Sequence, residues 1–215
     1  MPAATTTPRP PLGRPKDPAK RAAVLEAAQQ LFSEQGFDGV SMDQIAQTAG
    51  VSKLTVYSHF GDKDGLLSAV VRSHCEREMP LELFEPSPEV ALRPSLLDIA
   101  HAFYAMVSCP QAIAGHRMLC APHAMTPNMA RLFWEAGPER IQNGLSEMLK
   151  RRVDAGELDI DDTDMAASHF FALLKGEPHA RLMIGFPADM DQGATERHLA
   201  SVVDLFLRAH QPAAS

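Results

Sequence analysis

Residues 40 to 63, Val40-Ser-Met-Asp-Gln-Ile-Ala-Gln-Thr-Ala-Gly-Val-Ser-Lys-Leu-Thr-Val-Tyr-Ser-His-Phe-Gly-Asp-Lys63, read as two short helices joined by a tight turn. Ser41 followed three residues on by Gln44 is a capping-box pair, and Val40 with Ile45 occupy the positions of a hydrophobic staple, so a helix start at Ser41 is signalled twice. Gly50 supplies the residue that accepts positive φ at a helix end, and Ser52 is an N-cap for a second helix over Lys53 to Phe60. That second helix carries Ser52, Lys53, Thr55, Tyr57, Ser58 and His59, hydrogen-bonding groups interrupted only by Leu54, Val56 and Phe60. In helix-turn-helix geometry the second helix enters the DNA major groove, its first residues at base edges, while hydroxyls and helix N-termini hold phosphates. An ordinary helix pair, in which the hydroxyls cap and Tyr57 packs, carries the same short pattern.

The flanks narrow the choice. Gly36-Phe37, Ser41-Met42, Ile45-Ala46, Ala49-Gly50-Val51-Ser52, Thr55-Val56-Tyr57, His59-Phe60 and Lys63 reproduce, in order and spacing, the signature of the TetR family of transcriptional regulators. The chain resembles that family strongly over residues 17 to 70, and the run from His116 to Phe186 is similar to its AefR-like branch. The resemblance implies an all-α protein: an N-terminal three-helix helix-turn-helix domain over residues 17–62, then a helical ligand-binding and dimerisation domain over 63–211, with 63–78 as a linking helix. It also implies DNA contacts, with Lys53 at a base edge, Leu54 against a thymine methyl, and Ser41, Met42, Ser52, Thr55, Tyr57, Ser58, His59 and Lys63 around the phosphates. Leu54 is larger than the residue most members carry there.

Charge is divided along the chain. The formal net charge is −7, yet residues 1 to 63 hold seven Lys/Arg against six acids, so the remainder carries all of the acidity. A nearly neutral reader implies few phosphate contacts and an affinity that depends on dimerisation. Residues 1–16, with five prolines and no apolar pattern, read as a disordered arm in which Arg9, Arg14 and Lys16 either lie in the adjacent minor groove or stay solvated. Three cysteines without a CxxC pair point to a reducing compartment, and neither an apolar leader nor a membrane-length run is present, so a cytoplasmic protein without membrane partners is expected.

Helical periods follow from Pro18 to Gln35, from Asp62 to about Glu78, and over Leu96–Val107, Gln111–Ala121, Pro127–Val153, Thr163–Phe186 and Thr195–His210. The proline-rich stretch Met79 to Pro94 reads as a linker or an irregular connection, and Gly65 in a first helical turn as a cost of up to about 1 kcal/mol relative to Ala. A kink is expected at Gly176-Glu177-Pro178. Phe170, Leu174, Leu199, Val202, Val203 and Phe206 line the last two helices, and the family's C-terminal four-helix bundle implies that they form a homodimer interface; packing within one subunit is the alternative.

His101, Phe103, Tyr104, His116, Met125, Phe133, Trp134, Phe170 and Phe171 suit a cavity for a small hydrophobic ligand, although each singly also suits a helical core. His116, Cys120 and His123 share one helical face if the helix continues, with ligands fit for zinc or copper, but Pro122 disturbs the spacing and a fourth ligand would have to come from elsewhere, such as His101 or His169. No GxSxG, GxxxxGK[ST], HExxH or CxxC motif is present, and no catalytic residue, metal or cofactor is assigned. The chain is therefore expected to be a sequence-specific DNA-binding regulator, a homodimeric repressor released from a palindromic double-stranded operator by a small-molecule inducer. The alternative is a stand-alone small-molecule, metal or redox-sensing dimer with weak or no DNA specificity.

Overall fold

Oxygen-bearing side chains start most of the helices. The computed structural model describes residues 17–87, 89–120, 125–186 and 192–212. The helices are α1 (Pro18–Gln35), α2 (Met42–Thr48), α3 (Lys53–Phe60), α4 (Lys63–Glu78), α5 (Leu92–Ser108), α6 (Pro110–Leu119), α7 (Pro127–Ala136), α8 (Pro138–Asp154), α9 (Thr163–Met183) and α10 (Gln192–Ala209), with a 3-10 turn at Leu81–Phe84. Asp17, Ser41, Ser52, Asp62, Thr126 and Asp162 each accept a backbone N–H at an N-terminus, which satisfies donors the helix itself cannot. The capping box at Ser41 is complete: the Gln44 N–H reaches Ser41 Oγ at 3.2 Å and the Ser41 N–H reaches Gln44 Oε1 at 2.8 Å. Gly50 turns the chain at φ +65°.

Two cores result. Val24, Ala28, Ile45, Val56 and Leu66 are fully buried in the first, which α1–α3 build with the start of α4 and with Met129 of α7. Leu96, Ile99, Leu145, Leu149, Phe170 and Leu174 fill the second, between α5, α8, α9 and α10. Helix α4 joins them, placing Leu66 and Leu67 in the first and Cys75 in the second.

The structure corrects four expectations. The pattern from Pro127 to Val153 is two helices, because Gly137 leaves helical geometry (φ −128°, ψ −78°) and Pro138 begins a new one. Of the two readings of Met79 to Pro94, the irregular connection holds and the free linker does not: Met79 and Phe84 are buried, and Arg140, Arg151 and Arg152 of α8 donate to the carbonyls of Met79, Phe84 and Val90. Gly65 is required rather than tolerated, since a Cβ there would lie 2.4 Å from the Phe60 carbonyl oxygen, at the corner between α3 and α4. Residue Met42 is buried in the first core, so its side chain is unavailable to DNA.

The kink in α9 forms where expected. Gly176 is non-helical (φ 45°, ψ −154°), and Pro178 has no N–H to offer the carbonyl four residues back, that of Leu174. His198 of α10 supplies the missing donor, its Nε2 3.0 Å from the Leu174 oxygen.

Candidate nucleic-acid interface and ligand cavity

On the first core's outer side, α3 turns Lys53, Leu54, Tyr57 and Ser58 to solvent, with Leu54 78% exposed. Lys53 Nζ pairs with Asp43 Oδ1 at 2.7 Å and lies 5.9 Å from the Tyr57 ring. The Asp43 hydrogen bond raises the Lys53 pKa above the ordinary lysine value, so the cation is fixed and accessible. An exposed pair of this kind is screened by water and exchanges readily for another anion. Ser52 Oγ and Thr55 Oγ1 share a hydrogen bond of 2.8 Å, and Ser58 Oγ donates to the Thr55 carbonyl at 2.9 Å. The Ser41 and Ser52 hydroxyls act as helix caps. His59 is half-buried beside Phe60, and Lys63 lies with its ammonium 4.3 Å from the Phe37 ring centre, where burial lowers its pKa. Arg21 of α1, absent from the sequence expectations, sets its guanidinium 5.5 Å from the Phe60 ring and adds a cation beside α3. Arg9, Arg14 and Lys16 lie outside the described residues.

A cavity of about 310 Å³ lies where the two cores meet. Of the nine residues expected around a ligand, Phe103, His116, Phe133, Trp134 and Phe171 line it. The other four do not. His101 hydrogen-bonds Glu196 at 2.7 Å on the α5–α10 surface, Tyr104 and Phe170 are packed into the second core, and Met125 packs against the first. Sequence reading missed the wall contributed by Gln29, Phe32 and Ser33 of α1 and by Leu67, Val70, Val71 and His74 of α4. It also missed Lys175, although a lysine directly after Phe-Phe-Ala-Leu-Leu was a visible signal. Burial draws the His116 imidazole down to about 4, with smaller contributions from Lys175, His179 and His74. Burial likewise lowers the Lys175 ammonium and the His179 imidazole.

The six residues expected at a dimer face are Phe170, Leu174, Leu199, Val202, Val203 and Phe206, and all six fill the subunit's own second core. Their 3.6-residue period marks the buried stripe of each helix without saying what covers it. The apolar groups left on the outside of α9 and α10 are Met165, Leu173 and Leu205, each 42–53% exposed.

His116 and Cys120 do not assemble a metal centre with other described residues, among which no group of three ligating side chains occurs, and His123 lies outside them. Cys75, buried beside the cavity, has its thiol pushed up to about 11 by desolvation, far from a reactive thiolate. No helix among the described residues is long and apolar enough to cross a membrane.

Comparison with known proteins agrees with this geometry. The family profile described as bacterial regulatory proteins, tetR family, matches residues 24–70, and that of the AefR-like transcriptional repressor C-terminal domain matches residues 94–212. The chain is 24% identical over 187 residues to the transcriptional repressor AcnR of Corynebacterium glutamicum, covering 86% of this chain and 89% of AcnR. Among solved structures, the flavonoid-responsive regulator FrrA superposes with a TM-score of 0.74 at 34% identity, covering 91% of this chain and 98% of FrrA. A Mesorhizobium loti regulator assigned to the same family gives 0.74 at 28% identity, covering 89% and 96%.

Proposed function

The chain belongs to the TetR family of transcriptional regulators, and on that premise we propose that it is a homodimeric repressor whose hold on a palindromic operator is released by a small aromatic ligand. The observation that carries this is the shared wall of the cavity. Phe32 of α1 and Val70 and His74 of α4 face the same space as Phe103 of α5 and Phe133 of α7. Only two residues, Gly61 and Asp62, separate α3 from α4, at the corner where Gly65 fits under the Phe60 carbonyl. A second link runs from α6, whose Met118 sulfur accepts the Phe37 N–H at 3.1 Å. A ligand that fits the cavity better when α1, α4 and α6 have shifted therefore favours a subunit arrangement in which the two α3 helices no longer match their half-sites. Only that difference in affinity moves the equilibrium.

In the bound state Lys53 exchanges Asp43 for a base edge, Leu54 meets a thymine methyl, and Ser41, Ser52, Thr55, Tyr57, Ser58, His59 and Lys63 surround the phosphates. Arg9, Arg14 and Lys16 would follow into the minor groove. Met165, Leu173 and Leu205 are the dimer face on this view, replacing the six residues the sequence suggested.

Selection of genomic fragments by the purified protein, followed by footprinting at two salt concentrations, tests it. A two-fold symmetric, salt-sensitive footprint that shrinks when a flavonoid is added is the expected result. A footprint without symmetry, or no preferred site in ligand-free protein, would refute it. The relative's flavonoid response makes flat phenolic compounds the first class to screen.

A further inference from the structure

The cavity is apolar in its walls but one-sided in its charge. Lys175 of α9, His74 of α4 and His116 of α6 all line it, and none of its described lining residues is an aspartate or glutamate. His179 adds a fourth basic group, its ring centre 5.8 Å from that of His116. In a chain with 27 acids against 20 Lys/Arg, a space walled by bases alone is a marked departure.

None of these groups is fully partnered. Lys175 forms no ion pair with a described carboxylate, and its ammonium reaches only the ring of Phe103, at 6.0 Å. Buried nitrogens His74 Nε2, His116 Nδ1 and His179 Nε2 find no hydrogen-bond partner. Buried polar atoms in folded proteins are nearly always paired, and Lys175 beside these three is half-buried. Four rings, Phe103, Phe133, Trp134 and Phe171, line the same space.

Resting on the cavity's being the effector site, we propose that the effector is a flat aromatic molecule with one anionic oxygen group, a carboxylate or an ionised phenol. The anionic group pairs with the Lys175 ammonium, and its remaining lone pairs accept from a cavity imidazole. The rings lie among Phe103, Phe133 and Trp134. Burial lowers the Lys175 pKa in the empty protein, and an anion beside it would raise it again.

Two fluorescent probes that differ in one sulfonate separate charge from shape: 8-anilinonaphthalene-1-sulfonate and the neutral N-phenyl-1-naphthylamine. Trp134, the single tryptophan, lines the cavity and reports occupancy through its own emission. Gly115→Phe is the localising control, because Gly115 lines the cavity and an added Cβ meets no atom within 4 Å. Both probes should bind the full-length protein, and Gly115→Phe should abolish both. Lys175→Met should weaken the sulfonate roughly tenfold or more, the worth of one charge-assisted hydrogen bond, and leave the neutral probe within about twofold. Lys175→Gln should repeat that result, and Lys175→Arg should restore it, with circular dichroism checking that each variant folds. If both probes bind in the cavity and Lys175→Met affects neither, or both alike, the anion is wrong and the effector site stands. Failure of both probes to bind, or binding that survives Gly115→Phe, overturns the effector site and the anion together.

Discussion

Two lysines mark the proposed DNA-reading surface and the proposed effector cavity, and their surroundings are opposite. Lys53 on α3 stands in water with a carboxylate at 2.7 Å, whereas Lys175 faces aromatic rings in a cavity with no acid among its described lining residues. The first charge is held in place at little cost and is free to change partners. The second is half-buried, with its pKa lowered by that burial and no described acid beside it, so an anion entering the cavity would stabilise it. A surface that reads DNA has to be complete before its partner arrives; a sensor cavity has to be incomplete until its ligand does.

The substitution expected to do most harm sits between the two regions. Gly65→Ala places a methyl 2.4 Å from the Phe60 oxygen, so α3 and α4 must separate. A loss of about 3 kcal/mol in urea unfolding is expected, together with loss of operator binding even in molecules that remain folded.

Acid comes next, through the buried His116 of the cavity wall. The folded state holds His116 at about 4 while the unfolded chain titrates near 6.5, so between those values the unfolded state binds the additional proton. Stability therefore rises with pH across that window and falls on acidification, by about 2 kcal/mol once partial exposure is allowed for. His116→Gln should flatten the dependence measured by thermal melts between pH 4 and 6.5.

Lys175→Met, which removes the unpaired charge, should stabilise the empty protein by about 1 kcal/mol, read as a higher Tm. A lower Tm would mean that Lys175 already has what it needs. The matching change on the surface, Lys53→Ala, should leave Tm unchanged. It should relax the operator preference at particular base pairs roughly tenfold, while Tyr57→Ala weakens all sequences alike. A Lys53→Ala protein with the parent's preference would remove direct readout by this residue.

The same contrast explains what could be read from the chain. The α2–α3 unit is legible because its determinants are neighbours: Ser41 with Gln44, Gly50 at the turn, Ser52 and Asp62 as caps. The kink at Gly176 was visible for the same reason, since glycine and proline act on their own backbone. What failed involves long separations. Gly65 looks like a poor helix former until the Phe60 carbonyl is seen above it, and the Met79–Pro94 stretch looks loose until three arginines of α8 close on it. The apolar stripes of α9 and α10 were read correctly as buried but were given to the wrong neighbour. In the cavity wall, residues from Gln29 to Lys175 converge, and no short pattern encodes that convergence.

Met129 of α7 and Leu66 of α4 close the core of the N-terminal domain, though both lie beyond residue 62. A chimaera that grafts residues 17–62 onto another sensor would therefore open a hole beneath α1 and α2. Transplanting this reader requires carrying α4 and a methionine from α7 with it, so the exchangeable unit is discontinuous in sequence.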